Sequence, residues 1–232
     1  MKSIGLIGGT SWHSTVEYYR EINQLVNDHF GNNTNPPVLI YTLNQAAIHQ
    51  YQIENKWDQV AQCFTGAGLS LQRAGVEAVM FCANTPHKVY DIVKENLDVP
   101  ILHIADATAN AIKSHQISKV GLIGTKFTME EDFLVERFSQ NGITALVPEE
   151  SDVINELHRI IQKELTFGQI KPESKEFVLE AIQLMVNRGA QGIILGCTEF
   201  PLMISKKDFS IPVFDTTSIH AKAAVDFILD RS

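Results

Sequence analysis

Two segments of this chain repeat one another, and that repeat limits the folds open to it. Ala78-Val79-Met80-Phe81-Cys82-Ala83-Asn84-Thr85-Pro86-His87 is a short apolar run that stops at a cysteine and enters a polar turn. Gly192-Ile193-Ile194-Leu195-Gly196-Cys197-Thr198-Glu199-Phe200-Pro201 has the same grammar. Each places a thiol, a threonine and a proline, in that order, just past a buried strand. Two further pairs keep the order. Ile4-Gly5-Leu6-Ile7-Gly8-Gly9-Thr10 matches Val120-Gly121-Leu122-Ile123-Gly124-Thr125, and Val99-Pro100-Ile101-Leu102 matches Ile211-Pro212-Val213-Phe214. The paired segments lie 112 to 116 positions apart. So long a period excludes a solenoid and implies an internal duplication into two similar lobes.

Short β-rich runs alternate with helical stretches along the whole chain, the pattern of an α/β fold with parallel sheets. The expected architecture is two pseudo-symmetric lobes, each a mainly parallel sheet flanked by helices, with an active site in the cleft between them. Residues 1–100 with 212–232 form the first lobe, and 101–211 the second. A helix is expected from about Ser14, where Ser14 and Glu17 have capping-box spacing. Val16, Tyr19, Ile22, Val26 and Phe30 would be its apolar stripe. Thr128 and Glu131 have the same capping-box spacing ahead of a helix in the second lobe. Asn44 and Gln45 read as a polar loop before a helix over Lys56–Arg73, and Trp12 as a packing residue.

The 232 residues, 44% apolar and 20% charged, are ample for a buried core. A net charge of −8 argues against a nucleic-acid partner. No apolar run approaches the ~20 residues of a membrane span. Met1-Lys2-Ser3-Ile4 leads directly into a strand, leaving no room for a signal peptide. The three cysteines are an odd number without zinc spacing, so the reading is no metal and free thiols in a reducing cytoplasm.

In open parallel sheets, ligands lie beyond the C-terminal strand ends. The loops there are Gly8 to Trp12, Asn44 to Gln45, Cys82 to His87, Thr125, and Cys197 to Glu199. Helix N-termini following such loops favour an anion and lower a thiol's pKa. Two thiols on opposite faces of one carbon suit a two-base reaction, one removing a proton and the other delivering one. Asn84, Thr85, Thr198 and nearby backbone N–H groups would stabilise the carbanion. Cys63, in the middle of a helix, is read as structural, as are His103, His158 and His220. His87 either orients a thiol or caps its turn, and Glu199 is either an oriented acid or a helix N-terminal charge. Gly5-Leu6-Ile7-Gly8-Gly9 lacks the full GxGxxG, and no acidic residue ends the second strand, which disfavours nicotinamide binding.

The motifs Gly8-Gly9-Thr10-Ser11-Trp12, Cys82-Ala83-Asn84-Thr85-Pro86-His87-Lys88, His103-Ile104-Ala105-Asp106-Ala107-Thr108, Gly196-Cys197-Thr198-Glu199 and Val213-Phe214-Asp215-Thr216 resemble the aspartate/glutamate racemase family. The resemblance implies cofactor-independent racemisation of an amino-acid substrate by Cys82 and Cys197, and commonly a homodimer. It places Thr10, Gln52, Asn84, Thr85 and Thr198 around the amino acid. Some aspartate racemases hold the side-chain carboxylate with an Arg after the second strand and a Lys in the second lobe. The corresponding stretches here are Ala47-Ile48-His49 and Thr166-Phe167-Gly168, with Lys163 one turn away. The rival readings are a related reaction, such as that of a hydantoin racemase, a maleate isomerase or a decarboxylase, and a two-lobed protein that binds a small acid without turnover.

Overall fold

Strand β1 (Ile4–Gly8) is buried at all five positions, as a strand covered on both faces must be. The computed structural model describes Met1 to Arg231 and continues from β1 through α1 (Trp12–Phe30), β2 (Val38–Thr42), α2 (Gln45–Ile53), α3 (Trp57–Arg73) and β3 (Ala78–Phe81). A 3-10 turn (Thr85–Val89), α4 (Tyr90–Lys94) and β4 (Ile101–Leu102) follow. The four strands form one parallel sheet in the order β2-β1-β3-β4. Side chains alternate across it. Ile4, Leu6, Ala78, Met80 and Cys82 pack with Tyr18, Ile22 and Val26 of α1, while Ile7, Val79 and Phe81 pack with Val60, Phe64 and Leu71 of α3.

The same grammar then runs again. α5 (Ile104–Ser114), β5 (Lys119–Gly124), α6 (Lys126–Glu130), α7 (Asp132–Gln140), β6 (Thr144–Leu146), α8 (Ser151–Lys163) and α9 (Pro172–Asn187) precede β7 (Ile193–Gly196). α10 (Phe200–Met203), β8 (Val213–Asp215) and α11 (Thr216–Ile228) complete the chain. These strands form a second parallel sheet, β6-β5-β7-β8. Its core joins Ile193, Leu195 and Cys197 to Leu157, Ile160 and Ile161 of α8 and Val178, Ile182 and Met185 of α9. Ala221, Ala224, Val225 and Ile228 of α11 pack in the apolar cluster of the first sheet.

The chain thus divides into one unit of residues 1–104 with the segment from Thr217 onward, and a second of Ala105–Thr216. Strand pairing moves these limits from those expected at 100/101 and 211/212. β4 pairs with β3 and stays in the first unit, and β8 pairs with β7 and stays in the second.

Expectations for three helices need correction. α1 begins at Trp12, because Ser11 is its N-cap and accepts from the Ser14 amide at 3.4 Å. Its buried stripe is Ser14, Thr15, Tyr18, Ile22 and Val26, which leaves Val16, Tyr19 and Phe30 exposed. Trp12 is itself 55% exposed and lies against the His13 ring. The supposed loop at Asn44 is the N-cap of α2, its Oδ1 accepting from the Ala47 amide at 3.2 Å. In the second unit Thr125, not Thr128, caps a helix, accepting from the Thr128 amide at 3.3 Å.

Candidate active site

The register of the first sheet sets three loops side by side. Gly8 pairs with Thr42, and Ile7 with Phe81. The Cys82 amide donates to the Ile7 carbonyl at 3.0 Å, and the Leu43 amide to the Gly8 carbonyl at 2.9 Å. Gly9 has a φ of +87°, and an added Cβ there would lie 2.1 Å from the Leu43 carbonyl oxygen. Only glycine allows both that conformation and that approach. The Gly9 amide donates to Thr15 Oγ1 at 3.0 Å, and that hydroxyl donates to the Ser11 carbonyl at 3.1 Å. These contacts fix the loop that carries Thr10 beside the one that carries Cys82.

The polar candidates of this unit are unusually buried. Thr10, Gln52, Asn84, Thr85 and His87 all fall within the buried class, with His87 only 3% exposed. Thr10, Asn84 and Thr85 are on the strand-end loops. Gln52 comes instead from the last turn of α2, and its Nε2 is buried with no hydrogen-bond partner among the described residues. A buried amide donor without a partner is costly, and a bound ligand oxygen would satisfy it. Cys82 lies among apolar side chains, and burial pushes its thiol pKa up.

In the second unit Gly124 of β5 pairs with Gly196 of β7, so Thr125 and Cys197 leave adjacent strands at the same level. Thr125 caps α6 and also shares a hydroxyl–hydroxyl bond of 3.0 Å with Thr128. The Cys197 thiol donates to Glu199 Oε2 at 2.9 Å, and Thr198 Oγ1 donates to the same oxygen at 2.8 Å. Glu199 is therefore an oriented carboxylate, buried at 8% exposure. Burial raises the Cys197 pKa, and the Glu199 charge raises it further.

The expected lowering of both thiols is thus overturned. Burial is the first cause at both, and neither the 3-10 turn that follows Cys82 nor the four-residue α10 that follows Cys197 offsets it. Cys63 is partly buried on α3 and packs at the edge of the apolar cluster there.

His103 and His220, read from sequence as structural, form a buried ring cluster with His87. His87 lies 4.5 Å from His103 and 5.9 Å from His220 between ring centroids. The Leu102 carbonyl, 3.0 Å from His220 Nε2, can only accept, so that nitrogen carries the proton. Nδ1 then accepts from the Tyr18 hydroxyl at 3.0 Å. Burial drives the His220 pKa down to about 3. No sequence pattern links positions 18, 87, 103 and 220, because the fold alone brings them together.

Among the described residues no group of His, Cys, Asp and Glu side chains is arranged to hold a metal ion, and no helix is long and apolar enough to cross a membrane. Comparison with known proteins finds matches over nearly the whole chain. Two solved structures match over 99% of this chain and 100% of their own. One is a candidate Asp/Glu racemase from Yersinia pestis, 43% identical with a TM-score of 0.93. The other, an aspartate racemase homologue from Pyrococcus horikoshii OT3, is 37% identical with a TM-score of 0.87. A broad specificity amino-acid racemase from Bacillus subtilis (strain 168) is 21% identical over 97% of this chain and 98% of its own length. The family model described as Asp/Glu/Hydantoin racemase matches residues 7–224, which include both cysteine turns, and the chain belongs to that family of enzymes.

Proposed function

We propose that this amino-acid racemase acts on an acidic amino acid, aspartate or glutamate, without a cofactor, by moving the α-proton between Cys82 and Cys197. The observation that carries the reading is the Cys197 Sγ–H bond to the buried Glu199 carboxylate. It gives one thiol a local proton acceptor, while Cys82 occupies the corresponding strand end of an identically ordered sheet. The similar structures, described as a candidate Asp/Glu racemase and an aspartate racemase homologue, favour the acidic substrate.

Glu199 takes the Cys197 proton, leaving a thiolate. The α-ammonium of the substrate favours that thiolate, since a nearby opposite charge offsets part of the desolvation penalty. The thiolate removes the α-proton, and the electron pair of the broken C–H bond is delocalised into the α-carboxylate. Cys82 then gives its thiol proton to the opposite face of the carbon. Cys197 ends as a thiol and Cys82 as a thiolate; Glu199 then releases its proton to solvent and Cys82 takes one up, which restores the resting enzyme. Thr10, Gln52, Asn84, Thr85, Thr125 and Thr198 supply the hydroxyl and amide groups that hold the carboxylates.

The test is proton NMR of L-aspartate and of L-glutamate in D₂O with the purified protein and no added pyridoxal phosphate, followed by chiral analysis. Loss of the α-proton signal with growth of the D-enantiomer is expected for at least one acid. Cys82→Ser and Cys197→Ser should each lower kcat by about 10³-fold or more with the fold retained. Full turnover in either variant refutes the two-thiol assignment. Turnover of hydantoins with neither acid accepted refutes the substrate.

A further inference from the structure

We propose that His87 is a positioning residue for Cys82: its imidazole, held in the Nδ1–H tautomer, clamps the turn that carries the thiol to the start of α5. The inference rests on the reading above only in taking Cys82 as a reacting thiol. The clamp itself stands on geometry.

His87 Nδ1 is 3.0 Å from the Ala83 carbonyl oxygen and 3.2 Å from that of Asn84. Both groups can only accept, so Nδ1 bears the proton. His87 Nε2 is 3.3 Å from the Ile104 amide nitrogen, which can only donate, so Nε2 is bare. One neutral tautomer satisfies all three contacts, and an imidazolium would set N–H against N–H at Ile104. Burial, then the neighbouring His103 and His220, holds the His87 pKa well below its ordinary value. The ring is further boxed in by Phe81 at 5.1 Å between centroids, and Tyr90 packs against His103 behind it.

What the clamp fixes follows from peptide planarity. In a trans peptide the N–H points opposite to the C=O. Drawing the Ala83 and Asn84 carbonyls toward the imidazole turns the Asn84 and Thr85 amides away from it. It also sets the direction in which the chain leaves Cys82. The Ile104 amide opens α5, where helix geometry offers it no intrahelical acceptor, and His87 Nε2 supplies one. His87 thus acts on the reaction through the placement of Cys82, without exchanging a proton with substrate.

Three variants test this in the full chain. Asn at position 87 can place an N–H near the Nδ1 position, Gln can place an oxygen near the Nε2 position, and Leu can do neither. His87→Leu should lower kcat about 10- to 100-fold, as expected for a misplaced reacting group, with little change in KM. The shape of the pH–rate profile should stay as in the parent. Site-resolved alkylation with iodoacetamide should show an altered Cys82 rate and an unaltered Cys197 rate in the same molecules, a split that general loosening of the fold would not produce. His87→Asn should recover most of both readouts. Parent-like kcat in His87→Leu, equal changes at both thiols, or loss of one limb of the pH profile would overturn the proposal, the last by making His87 an acid or base itself. Should the Leu variant not fold, Asn must exceed Gln in kcat, and the reverse order rejects the clamp. The alkylation readout does not depend on turnover, so it separates failure of the clamp from failure of the racemase reading.

Discussion

The two proposed thiols are not chemically equivalent. Cys82 has apolar neighbours, and burial alone raises its pKa. Cys197 is raised by burial and then by the charge of Glu199, which also accepts its proton. One carboxylate therefore does two opposing things. It makes the isolated thiolate less stable, yet offers the proton a place to go once substrate arrives. Glu199→Gln separates them. The amide can still accept the Sγ–H but cannot take the proton, so kcat should fall about 10²-fold. At fixed pH the Cys197 thiol should meanwhile react faster with iodoacetamide, because the charge opposing its ionisation is gone. Steady-state rates and site-resolved alkylation read the two effects separately, and an unchanged kcat would reject the acceptor role. At this scale the sequence was informative about which cysteines matter, because a strand that stops at a thiol and turns polar occurs twice. It could not show the Cys197–Glu199 bond, which depends on where two side chains point. It also misled on thiol acidity, since burial, not the presence of a turn, decides that.

Among the helices, α8 and α9 are joined by an ionic cluster around one buried carboxylate that the sequence did not reveal. Glu164 closes α8 with its side chain 1% exposed. Its Oε1 meets Arg159 at 2.8 Å and Lys171 at 3.3 Å, and its Oε2 accepts from Ser174 Oγ at 2.7 Å. Burial works against the charge, but the bonds from Ser174, Arg159 and Lys171 outweigh it and hold the pKa below its ordinary value. A carboxylate depressed on folding stabilises the fold fully above its unfolded pKa, and that contribution is lost as pH falls through the folded value. Both cations are more than a third exposed, so solvent screens much of the attraction. Glu164→Gln should cost about 1–2 kcal/mol near neutral pH. The parent's advantage should vanish in urea melts below the folded pKa, and an advantage that persists there would rule out the charge as its source. Helix limits were legible where polarity and apolar spacing agreed, as in α3, expected over Lys56–Arg73 and observed over Trp57–Arg73. They failed where spacing was ambiguous. α1 carries two apolar stripes, and only the one through Tyr18, Ile22 and Val26 faces the core. α2 buries only Ile48 and Gln52, so it has no stripe to detect.

Over the whole chain, one topology is used twice. The sheets β2-β1-β3-β4 and β6-β5-β7-β8 have the same order, and each carries its cysteine directly after its third strand in sequence. This was readable because strand, turn and thiol recur together. The boundaries were not, since hydrogen-bond pairing, invisible in sequence, assigns β4 and β8 to their sheets. If each unit supplies one thiol, the reaction carries an isotopic signature that a single base cannot imitate. In D₂O the proton leaving L-substrate goes to one thiol, while the atom arriving on the other face comes from a second thiol already equilibrated with solvent. Early in the reaction the D-enantiomer should therefore contain deuterium at the α-carbon, while the remaining L-enantiomer should still hold protium. Starting from D-substrate, the label should fall on the L-enantiomer instead. A single base serving both faces would return some of the abstracted proton to product and would also exchange label into the unconverted substrate. Chiral separation followed by mass spectrometry of both pools at low conversion measures the difference. Equal labelling of the two pools, or protium retained in product, would show that Cys82 and Cys197 do not divide the two faces between them.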